Sequence, residues 1–164
     1  GFESADFPAG EAPFDHLLGL MFAVAAYFQV HGLHIRIESA SPPRSALGGS
    51  SVAALALTAA LTAAKQGGEK SVPVSVRRMV SIAHGIEQSV AGVPCGVQDQ
   101  LAAAYGGVNA WRWTGEPGME FFKKKLVCSG DKIKTFEKNL LLAYCGIPHV
   151  SKDINSRWVR AFIS

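Results

Sequence analysis

With 164 residues, 48% of them hydrophobic and 18% charged, the chain falls among globular proteins with a buried core and outside the disordered and low-complexity classes. A formal net charge of +3, with basic residues dispersed except at Lys123–Lys125, argues against nucleic acid as a partner. Three well-separated cysteines without a CxxC pair argue against a structural zinc site or a disulfide framework, and fit reduced thiols in a cytoplasmic protein.

Residues 2–7 are expected to form a short strand, followed by a turn over 8–13. Dense apolar residues from Phe14 to Val30 predict a helix that Gly32 ends. His34–Ser39 alternates polar and apolar, the period of a half-buried strand. After a small-residue loop, Val52–Ala64 reads as a helix rich in alanine, stopped at Gly67-Gly68. The apolar stretches 17–30 and 52–64 both fall short of the roughly 20 residues that a membrane-spanning helix needs, so they are expected to be buried helices. Val74–Ser89 carries apolar residues at helical spacing up to the break at Gly92–Pro94. Val97–Tyr105 predicts a shorter helix capped by Gly106-Gly107. Strands are expected at Val108–Trp113, 119–127 and 140–144, with turns between them. A last helix is expected from about Asp153, with His149, Ser151 and Lys152 in a loop before it. There is no internal repeat. The order of elements predicts an α+β chain, with one domain over 1–120 and the start of a second over 121–164.

Two features carry chemistry. Residues 42–51, Pro-Pro-Arg-Ser-Ala-Leu-Gly-Gly-Ser-Ser, sit between a predicted strand and a predicted helix. Free N–H groups at a helix start, with the helix dipole behind them, attract phosphate. Gly48 and Gly49 would let the backbone approach it, while Ser50 and Ser51 offer hydroxyls to a cap or to a metal ion. The same pattern would also suit a plain loop with a serine cap. Neither GxxxxGK[ST] nor GxGxxG is present, which disfavours a standard P-loop or dinucleotide fold.

The second feature is acidic. Between Glu69 and Glu116 the only acids are Glu87 and Asp99, each set among apolar and small residues. Carboxylates there are costly unless paired, hydrogen-bonded or metal-bound. The turn at Gly92–Pro94 can bring them together, although each also suits an ordinary helix position. Gln98 and Gln100 make Asp99 part of a polar cluster within an apolar stretch. Phosphoryl transfer requires a phosphate cradle, a metal ligand and a carboxylate facing the attacking hydroxyl, and these residues could supply all three.

Together, Pro42–Ser51, Gly92-Val93-Pro94-Cys95-Gly96-Val97-Gln98-Asp99-Gln100 and Tyr105-Gly106-Gly107-Val108-Asn109 resemble the GHMP kinase superfamily of galactokinase, homoserine, mevalonate and phosphomevalonate kinases. The second stretch is most similar to the branch acting on sugars, such as heptose-phosphate and fucose kinases. The resemblance implies an N-terminal domain like one of a ribosomal protein and the start of a ferredoxin-like C-terminal domain. It implies ATP and Mg²⁺ as cofactors and a sugar or sugar-phosphate hydroxyl as acceptor, with no membrane partner and with a homodimer left open. Pro43, Ser45, Ala46, Leu47, Gly48, Gly49, Ser50 and Ser51 would then hold the nucleotide phosphates. Ser50 and Glu87 would ligate the metal, and Asp99 would act as the catalytic base. Two departures stand out. Arg44 and Ala46 replace glycines of the family loop, and the family's first and third motifs are missing, so the chain reads as a central fragment. A nucleotide- or anion-binding module without catalysis is the competing expectation.

Overall fold

The computed structural model describes residues 14–39, 45–66, 74–114, 121–143 and 151–163, of which 151–155 are described by backbone alone. The expected strand at 2–7, the turn at 8–13, Pro42, Pro43, Arg44, Gly67, Gly68, Tyr144 and His149 lie outside them. The chain divides into two units, Gly1–Ala104 with Gly146–Ser164, and Tyr105–Cys145.

In the first unit α1 (Gly19–Tyr27), α2 (Gly49–Lys65) and α3 (Val76–Ala91) pack against one another. Helix α1 is shorter than its apolar run, because apolar density without a single apolar face does not set helix ends. Its start is fixed where the Leu18 and Gly19 amides bond to His16. It stops before Gln29, whose φ of 52° is left-handed. In α2 the buried residues Ala54, Leu55, Leu57, Thr58, Leu61 and Thr62 form one stripe, while Ala56, Ala60, Ala63 and Ala64 lie exposed on the other faces. Helix α3 buries Val80 and Ala83. Ser75 caps it by accepting a bond from the Arg78 amide at 3.2 Å, and Gly92 ends it at φ 66°. Both expected membrane-like stretches thus hold helices of this packed unit, and among the described residues no helix is long and apolar enough to cross a membrane.

Helix α4 (Gln98–Tyr105) follows within seven residues and buries Gln100 and Leu101. At its approach, Gly96 has no side chain to collide with the Gln98 amide, which folds back over it. Two left-handed glycines, Gly106 and Gly107, terminate it as expected.

The second unit holds the antiparallel pair β1 (Val108–Trp113) and β2 (Phe122–Cys128), with a bulge between Val108 and Asn109. Phe122 is buried against the edges of Tyr105 and Trp111, at centroid distances of 6.2 and 5.4 Å. Lys123–Lys125 lie exposed on β2, and Lys124 Nζ sits 4.5 Å from the Tyr105 ring centre. Helix α5 (Asp131–Lys138) then occupies a stretch expected to be a turn. In the first unit α6 (Ser151–Ile163) begins two residues before its expected start, so Ser151 and Lys152 open a helix and do not lie in a loop.

Two expected strands do not form. Residues 34–39 form no strand among the described residues, and Ile35 and Ile37 stay exposed. The alternation there shows itself only in Arg36 and Glu38, which meet at 2.6 Å on one side of the chain. Residues 140–143 likewise form no strand among the described residues: the Leu140 amide turns back to the Glu137 carbonyl at 3.1 Å, and Leu141 is 90% exposed. A period of 2 marks which side chains share a face, but a strand also needs a neighbour for its N–H and C=O groups. The described elements, helices with one small antiparallel sheet, make the chain α+β.

Candidate functional site

Three helix ends converge in the first unit: the start of α2, the C-terminal part of α3 and the start of α4. Ser50 and Ser51 occupy the first turn of α2. They do not cap it, since α2 has no side-chain cap and its N-cap residue is Gly48 at φ 68°. Both hydroxyls turn toward Glu87 of α3. Ser50 Oγ donates to Glu87 Oε1 at 2.7 Å, and Ser51 Oγ donates to Oε2 at 2.6 Å. Gln100 of α4 completes the set, its Nε2 donating to the same Oε2 at 2.5 Å. Glu87 is therefore not a solvated helix residue but the acceptor that ties the three helices together. Each such bond to a charged carboxylate is worth about 1.5–3 kcal/mol in typical folds.

Asp99 lies in the first turn of α4, against the backbone of Gly48. A Cβ added at Gly48 would stand 2.8 Å from Asp99 Cγ and 3.2 Å from Oδ1, so any residue but glycine would displace the carboxylate. The left-handed φ excludes other residues a second time. Partial burial, and then the negative charge of Glu87, hold the Asp99 carboxyl above the ordinary aspartate range. The two acids thus face one region, where a cation would relieve their repulsion.

The loop before α2 explains one departure from the glycine pattern and not the other. Ala46 adopts φ 59°, the left-handed region where a glycine would be relaxed. Ser45 and Leu47 belong to the same bend, and Gly49 opens α2 with open space around its α-carbon. The structure brings Gly48, Ser50, Ser51, Glu87 and Asp99 together.

Sequence reasoning missed Gln100 as part of the site. Its signal was present, a polar residue in an apolar run, but was read only as the setting of Asp99. Behind the cluster, His84 Nε2 lies 2.8 Å from the Cys95 carbonyl oxygen, and the Cys95 amide donates to Gln88 Oε1 at 3.3 Å. These contacts pin the turn between α3 and α4. Burial and the charge of Glu87 push the Cys95 thiol up, away from the reactive thiolate. Among the described residues no group of three or more His, Cys, Asp or Glu side chains is placed to hold a metal ion, so any cation here would rely on hydroxyl and phosphate oxygens as well.

The family model for the GHMP kinases N terminal domain matches residues 16–107, more than half of the chain and all of the residues just described. The chain belongs to the GHMP kinases. No curated protein and no solved structure matches it. The superfamily resemblance read from the loop and the Gln-Asp-Gln segment is borne out at that level. Membership makes the chain part of a family of small-molecule kinases that use ATP. In a GHMP kinase, an uncapped helix start flanked by two carboxylates and two hydroxyls is a set of groups suited to phosphate and a hard divalent cation.

Proposed function

We propose that this GHMP kinase transfers the terminal phosphoryl group of Mg²⁺·ATP to a hydroxyl of a sugar or sugar phosphate, with the cluster at Gly48, Ser50, Glu87 and Asp99 as its active centre. The observation that carries this reading is the convergence of Glu87 and Asp99 on the start of α2. The donor set fits the cofactor, because Ser50 Oγ and Glu87 Oε1 are adjacent hard oxygens on an exposed edge. Ser50 and Glu87 would hold the cation, and Ser45–Ser51 would offer backbone N–H groups to the phosphates. Mg²⁺·ATP, when bound, supplies the phosphoryl group and the positive charge that offsets the two acids.

Asp99 would accept the proton of the acceptor hydroxyl and aim its oxygen. A carboxyl whose pKa is raised is a better proton acceptor than an ordinary aspartate once ionised. Gly48 leaves room for the Asp99 side chain against the start of α2, so a base on α4 would lie beside a phosphate cradle on α2. The sugar branch rests on similarity of Gly96–Gln100 to that branch's Gly-x-Gln-Asp-Gln segment. The family fold would divide the chain near residue 120, between a ribosomal-protein-like N-terminal domain and a ferredoxin-like C-terminal one. The kinase would work in the cytoplasm.

In the kinase that carries this segment, Asp99→Asn should cut turnover by about 100-fold or more while leaving nucleotide affinity within a small factor. ADP release at saturating ATP measures this, and an unchanged turnover number would overturn the assignment of the base.

A further inference from the structure

The two oxygens of Glu87 are not equivalent. Oε2 accepts from Ser51, which is 6% exposed, and from Gln100, which is 0% exposed. Among the described residues Oε1 accepts only the hydroxyl of Ser50, which is exposed. A carboxylate oxygen holding two buried donors has its lone pairs committed. One that holds a single solvent-facing hydroxyl can exchange that bond for a cation. Gln100 has no freedom to release its side: turning the amide would set its oxygen against the carboxylate, acceptor to acceptor, and among the described residues that oxygen is buried without a hydrogen-bond partner where it stands.

We infer that Gln100, with Ser51, is a positioning pair that commits Glu87 to one-oxygen coordination through Oε1 and thereby selects Mg²⁺ over Ca²⁺. The inference rests on the reading of Glu87 as a metal ligand and adds to it the origin of metal choice. Mg²⁺ requires compact octahedral geometry and takes carboxylates through one oxygen. Ca²⁺ accepts more ligands and commonly takes a carboxylate through both. Pinning Oε2 from the buried side removes the two-oxygen mode and leaves the one Mg²⁺ uses. Partners of this kind behind a metal ligand typically change metal affinity by about 10- to 100-fold.

The test is calorimetric titration of ATP into the whole chain in excess Mg²⁺ or in excess Ca²⁺, giving a ratio of affinities for the wild type, Gln100→Met and Ser51→Ala. Gln100→Met keeps length and apolar packing, while Ser51→Ala removes the other donor from a different helix. Melting curves establish that each variant is folded. The ratio should move toward Ca²⁺ by about tenfold in both variants. A lowered melting temperature with an unmoved ratio would show that Gln100 and Ser51 only hold the helices together, and would overturn the inference while leaving the site standing. Wild-type ATP binding that is indifferent to any divalent cation would overturn both this inference and the assignment of Glu87.

Discussion

Asp99 and Ala46 show what individual residues contribute to the site and what they cost the fold. The Asp99 carboxyl is held above its ordinary value by burial and by Glu87, so the folded state binds its proton more tightly than the unfolded state. Between the ordinary aspartate pKa, about 4, and the raised folded value, the native state therefore carries more protons, and stability falls as pH rises through that window. Asp99→Asn stays neutral throughout. The melting temperature of this variant relative to the wild type should be higher at pH 7 than at pH 4, and an offset that does not change with pH would contradict the shift. Ala46 holds a left-handed φ that costs a residue with a Cβ about 1–2 kcal/mol, and glycine gives back about 0.5–1 kcal/mol of that through its freer unfolded chain. Ala46→Gly should thus raise stability by up to about 1 kcal/mol in denaturant melts. A clear loss of stability would mean that the bend at Ser45–Gly48 is not built on Ala46 in that conformation.

At the scale of elements, helix ends were written locally and the site was not. Ser75, Gly92, Gly106 and Gly107 punctuate the chain by their own backbone chemistry, which is why α3 and α4 fall where spacing places them. The strands at 34–39 and 140–144 were misread because pairing depends on a neighbour that no local pattern specifies. Helix α5 was missed although Asp131 at its start and Lys138 at its end match the helix dipole, since Ile133 and Phe136 alone make too thin an apolar face. The loop at 42–51 and Asp99, singled out separately along the chain, meet at Gly48. The bonds from Ser50, Ser51 and Gln100 to Glu87 depend on how α2, α3 and α4 cross, so residues 37, 36 and 13 positions apart meet in a way that no local pattern specifies. Helix α2 also carries a cost in its core: Thr58 Oγ1 and Thr62 Oγ1 are buried with no hydrogen-bond partner among the described residues. An unpaired buried hydroxyl costs about 1–3 kcal/mol, so Thr58→Val, which keeps the shape, should stabilise the fold by about 1 kcal/mol. Destabilisation of that size would show that the hydroxyl has a partner in solution.

At the scale of the whole chain, the family match at 16–107 takes in the three packed helices, the cluster and the glycine end of α4. The aromatic hairpin and α5 lie after it and form a unit with its own small core around Phe122. The proposed active centre lies wholly in the matched segment, and the central claim is that Glu87, bridging three helices there, holds the cation of a bound nucleotide. Titration of ATP into the chain with and without Mg²⁺ tests this most directly, comparing the wild type with Glu87→Gln after both are shown to be folded. The glutamine keeps the shape and can still meet its neighbours, but lacks the charge. ATP should bind the wild type in a Mg²⁺-dependent way, and Glu87→Gln should weaken that binding by about tenfold or more while reducing its response to Mg²⁺. Equal, equally Mg²⁺-dependent affinity in the two proteins would contradict the account.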